Sequence, residues 1–169
     1  MKIITGAVVG GVVVFLWGTV SWMVLPWHRL VIHTFQNEVV VASILQTNAP
    51  YAGVYAATGA HTPFVFASVR PAGMMNSSEP AFYLRGLGLD MLAAGLLTWL
   101  VLWLPPFSYW RRVRLVTLVA LIAGVLVHLS YWTWWGFSRA YTVVAITDLV
   151  IGWFFGALAI AAVTRGRRP

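Results

Sequence analysis

Four long apolar runs, at 3–25, 84–104, 113–131 and 140–163, constrain this chain more than any other feature of its sequence. A helix rises about 1.5 Å per residue, so roughly 20 residues cross the hydrocarbon of a bilayer, and each run has that length. Lipid offers no partner to a backbone N–H or C=O, which leaves helices as the structure for such runs. With 60% hydrophobic and 9% charged residues in 169, the chain cannot hide that surface in an ordinary soluble domain. The sequence predicts an all-α membrane protein, a four-transmembrane-helix bundle with a small extracytoplasmic helix plus β-hairpin inserted between helices 1 and 2. The first run is longer than the ~7 to 15 apolar residues of a signal-peptide core, and is expected to stay as an uncleaved anchor. With no cysteine in the chain, disulfides and thiolate metal sites are excluded.

The net charge of +7 sits at helix ends, where it sets orientation. Lys2, Arg111, Arg112, Arg114, Arg165, Arg167 and Arg168 place seven cations on one side, against four on the other, Arg29, Arg70, Arg85 and Arg139. Both termini, the loop 105–112 and the tail 164–169 are therefore expected in the cytoplasm, with 26–83 and 132–139 outside. The basic ends suit anionic lipid headgroups. No nucleic-acid partner is expected.

In the long connection 26–83, "NEVVVASILQTNAP" carries Asn37 as an N-cap, then Val40, Val41, Ile44 and Leu45 at helical spacing, and Pro50 beyond the end. "YAGVYAATGAHTPFVFASVRP" holds two β-rich runs separated by 58–62, which predicts a hairpin, and "AGMMNSSEP" reads as the loop back to the second span. A lone hairpin is marginal in water, so this subdomain must lean on its own helix, on the membrane surface or on a partner. Trp132, Trp134 and Trp135 read as an interfacial aromatic belt.

Inside the spans, the helical period gives each helix one small or polar stripe. The fourth carries Ala145, Asp148, Gly152, Gly156 and Ala159; the first carries Gly6, Gly10, Trp17 and Ser21. Gly6, Gly10, Gly152 and Gly156 are accordingly the candidate helix-packing residues. The second stripe holds Gly86, Asp90, Ala94 and Thr98, and the third holds Thr117, Ala120, Gly124 and His128. At about 1.5 Å per residue, Asp90 and Asp148 lie roughly 9 and 12 Å below the outer helix ends, with His128 a little shallower. The sequence therefore predicts an intramembrane cluster of Asp90, His128 and Asp148, with Arg85 and Arg139 as cross-helix ion-pair partners. Such residues face a bundle interior and find partners, and packing is the preferred role over proton-linked chemistry.

His28 and His128 lie at similar depth, the arrangement that haem ligation between helices requires, whereas His28 and His33 miss the i, i+4 spacing of a metal pair on one helical face. Hydrogen-bonded interfacial histidines are the preferred reading, and no cofactor or metal ligand is assigned. No nucleophile with a base, no phosphate loop and no paired carboxylates outside the membrane are present, so no catalytic residue is proposed.

The segments "GGVVVFLWGTVSWMVLPWH" and "WWGFSRAYTVVAITDLVIGWFFG" resemble the first and last helices of small four-span bacterial inner-membrane proteins, and "GVYAATGAHTPFVFASVRP" is similar to their outer loop. The resemblance implies a bacterial inner membrane and four spans, and carries over no catalytic residue. Together these readings lead to an accessory or assembly subunit that acts by interaction, its partners being the lipid bilayer and other membrane proteins or a second copy. The alternative is a small proton-linked transporter-like or ligand-sensing bundle using Asp90, His128 and Asp148.

Overall fold

The computed structural model describes residues 1–61, 63–70 and 80–165. The loop expected at 72–79, Thr62 of the hairpin turn, and the tail from 166 with Arg167 and Arg168 lie outside the described residues. Among the described residues, seven α-helices and two strands follow one another. They are α1 (Lys2–Met23), α2 (Trp27–Val31), α3 (Glu38–Asn48), β1 (Gly53–Ala57), β2 (Val65–Val69), α4 (Pro80–Trp103), α5 (Tyr109–Gly124), α6 (Ser130–Trp135) and α7 (Arg139–Val163). A π-helical turn, Val125–Leu129, joins α5 to α6, so that Tyr109–Trp135 runs as one rod. Four helices are thus long and apolar enough to cross a membrane, and the fold is an all-α four-span bundle carrying a small two-stranded sheet.

Local sequence explains the breaks. The carbonyl-side stop of α4 comes from Pro105 and Pro106, neither of which can donate to a continuing helix. Gly136, at φ +69°, ends α6 in the left-handed conformation that glycine adopts without strain. Ser138 then caps α7, its Oγ accepting from Tyr141 N at 3.1 Å, and Asn37 caps α3 by accepting from Val40 N at 3.0 Å.

α1 lies between α4 and α7 and packs along both, while α5 packs on the far side of α7 and barely touches α4. Small residues set these spacings. A Cβ on Gly11 would come within 2.6 Å of the Met91 backbone, and one on Gly6 would collide with the Thr98 side chain. Gly10 meets Ile160 and Ala94, and Gly156 meets Val14. The core formed here is thin: Val14, Ala94, Val116, Trp153, Ala157 and Ile160 are among its members. Only 17% to 28% of each span is buried, so most of every helix presents apolar side chains outward, as a lipid-facing surface must.

At one end Lys2 Nζ donates to the carbonyl of Arg165 at 3.2 Å, bringing the two ends of the described chain together. The opposite end carries α2, α3 and the antiparallel hairpin, in which Gly53 pairs with Val69 and Ala57 with Val65. The hairpin rests on the α6–α7 connection: Phe66 stacks on Trp135 at 4.3 Å, and Phe64 lies beside Gly136. Trp135, expected as a belt residue, also gives β2 a docking surface, and both it and Trp134 keep exposed surface, 39% and 74%.

Candidate functional site

Pro26 interrupts the first span in "SWMVLPWHR", and the chain turns back on itself in the short helix α2. The final turn of α1 widens to do so, with Leu25 N bonded to Val20 O at 3.1 Å. The reversal tucks His28 beneath the end of α1, where only 4% of the residue is exposed and its ring stacks on Trp22 at 3.9 Å and 10°. His28 Nε2 lies 3.1 Å from Ser21 Oγ, a residue with no exposed surface, and Trp27 Nε1 donates to that same oxygen at 3.0 Å.

Asp148, at the middle of α7, completes the group. Its Oδ2 lies 3.1 Å from His28 Nε2, and its Oδ1 accepts from Trp17 Nε1 at 2.7 Å. The same indole N–H also reaches the Asp148 carbonyl oxygen at 3.2 Å. Trp17 can lie so close because position 152 is glycine: a Cβ there would sit 2.8 Å from Trp17 Cδ1. The carboxylate is 14% exposed and has a donor for each oxygen, which removes the main cost of holding an acid at membrane depth.

Ser21, His28 and Asp148 have the composition of a hydrolytic triad and the wrong geometry for one. A triad needs the acid on one ring nitrogen and the hydroxyl on the other, whereas here both oxygens approach Nε2, and Nδ1 is buried with no hydrogen-bond partner among the described residues. A proton on Nε2 serves Asp148 and Ser21 together. The arrangement ties three helices, α1, α2 and α7, into one junction.

The sequence-predicted cluster is not what the structure brings together. Asp148 meets Trp17 and His28, not Asp90 and His128, because α1 stands between α4 and α7 and occupies the space the three were expected to share. Asp90 instead lines a groove between α1 and α4, where it has no hydrogen-bond or ionic partner among the described residues. His128 lies in the π turn with its ring against Tyr131, and its Nδ1 is buried without a partner. Arg139 has no ion-pair partner among the described residues either: its guanidinium lies over the Trp132 ring at 5.9 Å. Arg85 is exposed and has no acidic partner among the described residues, where the His28–Asp148 contact is the one ion pair. The structure pairs His28 with Asp148, and no contact joins it to His128.

Trp17 and Ser21 shared a stripe with Gly6 and Gly10, so the sequence marked the face without marking its partner. His28 escaped because depth counted along a straight helix leaves it at the membrane edge, and α2 returns it inward. No family model matches the chain, and neither a curated protein nor a solved structure matches it. Fold and site therefore define a class only, a multi-pass membrane protein whose first and last spans are joined by a buried polar junction.

Proposed function

We propose that the protein is an interaction subunit of a bacterial inner-membrane complex, with both termini in the cytoplasm and α3 and the hairpin presented outside. The observation that carries this reading is α3. It is rich in apolar residues yet has no buried residue. Its Leu45 side faces the hairpin across a small cavity, while Val39, Val40 and Ile44 are exposed at 80%, 49% and 55%. A helix with apolar residues on both faces, beside a hairpin that is fastened to the bundle through Phe66 and Trp135, supports docking against another protein. The pairing of Asp148 further supports a scaffold, since its carboxylate is held by the protein's own Trp17 and His28 side chains. The seven-to-four division of cations supports the orientation.

The test places a photo-crosslinking residue at Val39 or Ile44 in native membranes, alongside Val40→Asp and Ile44→Asp variants. A discrete protein adduct, together with co-purification of the same protein that is lost in the aspartate variants at unchanged abundance, is the expected result. Adducts to lipid alone, or co-purification indifferent to the aspartates, would overturn the reading in favour of a helix that rests on the bilayer surface.

A further inference from the structure

The groove that holds Asp90 is separate from the Asp148 junction. It encloses about 540 Å³ between α1 and α4. Phe15 and Trp22 wall it from α1, Phe82 and Tyr83 from α4, and the floor at Gly18 is empty, since a Cβ there would meet nothing within 4 Å. The lining also holds two hydroxyls, that of Tyr83 and that of Thr19, whose Oγ1 donates to the Phe15 carbonyl at 3.0 Å. No lysine or arginine lines the groove among the described residues. Arg29, the cation at that end of α1, donates to the Met23 carbonyl at 3.1 Å. The groove's one charged group is thus a half-buried carboxylate that has no partner among the described residues, in a lining that also holds four aromatic side chains.

We propose that this groove binds a lipophilic monocation, a quaternary or protonated amine or its phosphonium equivalent, with the charge beside Asp90 and the apolar groups against the rings. An unpaired carboxylate at membrane depth gains more from a cation than from any neutral ligand. Aromatic faces add an attraction specific to positive charge, because the ring quadrupole is negative above its plane. A weakly hydrated organic cation enters such a site more readily than a metal ion, which the groove's few oxygen atoms could not coordinate. The volume suits a molecule of drug size, and pockets that orient such ligands combine an apolar lining with few polar groups. The ammonium group could come from a lipid headgroup or from a free amphipathic cation, and both share this chemistry.

The full chain, purified in a maltoside detergent, is tested by equilibrium dialysis against tetraphenylphosphonium and its isosteric anion tetraphenylborate. Saturable binding of the cation alone is expected, weakened roughly tenfold or more in Asp90→Asn, which removes the charge and keeps the shape. Gly18→Leu, whose Cβ meets nothing within 4 Å, carries its side chain into the groove and should abolish binding while the variant stays folded with an unfolding temperature close to that of the parent. Equal binding of both ions, or unchanged affinity in both folded variants, would overturn the proposal. Short-chain competitors then identify the source. Displacement by dihexanoylphosphatidylethanolamine and not by its phosphatidylglycerol counterpart supports a lipid headgroup, and displacement by neither supports a free cation. Equal displacement by both means the groove reads acyl chains rather than charge, and sinks the idea.

Discussion

Trp17 on the first membrane helix and Asp148 on the last are joined twice, the indole N–H lying 2.7 Å from the carboxylate and 3.2 Å from the aspartate's own carbonyl oxygen. One donor shared between a side chain and the backbone of the same residue fixes the two helices in rotation as well as in distance. This contact, rather than a contact between acids, answers why an aspartate sits in the middle of α7.

Asp148→Asn should therefore be mild. The amide oxygen can still accept from Trp17, and the amide N–H₂ can donate to His28 once the imidazole proton moves to Nδ1. We expect a loss within about 1 to 2 kcal/mol, the scale of interhelical polar contacts in membranes. Asp148→Leu removes the carboxylate and leaves Trp17 only the longer contact to the backbone carbonyl and His28 only Ser21 Oγ, a loss we expect to cost about 1 to 3 kcal/mol more than the asparagine change. Reversible unfolding in mixed micelles measures both. A leucine variant as stable as the asparagine variant would mean that the junction contributes nothing.

The glycines give a graded test of packing. Gly152→Ala drives a methyl group into Trp17, and Gly11→Ala drives one into the Met91 backbone, so each should cost about 1 to 3 kcal/mol by overpacking. Gly18→Ala meets nothing and should be neutral or slightly stabilising, since alanine is the better helix former by about 1 kcal/mol. Thermal unfolding of the three purified variants checks the order, and equal behaviour would contradict the helix spacing described.

Topology is checked by fusions. Reporters that require the periplasm should be active after Asn76 and silent after Pro169, following the cation asymmetry. The reverse pattern would invert the orientation. The meeting of Lys2 with the Arg165 carbonyl requires in either case that both termini report from the same side.

The outer subdomain should not fold alone. Ordering costs roughly 1 to 2 kcal/mol of backbone entropy per residue, and among the described residues of 32–70 only Ala49 is buried. A soluble peptide of 26–83 is expected to show no cooperative unfolding transition. Within the full chain, Trp135→Ala removes the ring beneath Phe66 and should speed amide exchange across β1 and β2 while leaving α7 protected.

Much of this was legible because it rests on period and length. Each of the four apolar runs forms a spanning helix, the first ending two residues and the second one residue short of its run, and Asn37 starts α3 through the side-chain bond its position implied. What escaped depended on geometry that is not local. The turn at Pro26 reverses the chain and carries His28 from the membrane edge to Asp148, and no stripe drawn along a straight helix contains that move. The π turn at Val125–Leu129 inserts an extra residue per turn around His128, so the face assigned to His128 from a 3.6-residue period no longer applies. The order of helices in space escaped as well: four small-residue faces are compatible with several arrangements, and only one puts α1 between α4 and α7.

That order has a consequence for how the chain is made. The donors on Trp17 and His28 emerge from the ribosome long before Asp148, which follows Trp17 by 131 residues. At about 5 to 20 residues per second, synthesis of the intervening segment takes on the order of ten seconds. Throughout that time the Trp17 indole of α1 stands in the membrane without the acceptors that α7 brings. Insertion of the last helix is thus the step that completes the first, and any nascent chain that stops short of α7 carries an open polar face by which a membrane quality-control protease can tell it from the finished protein.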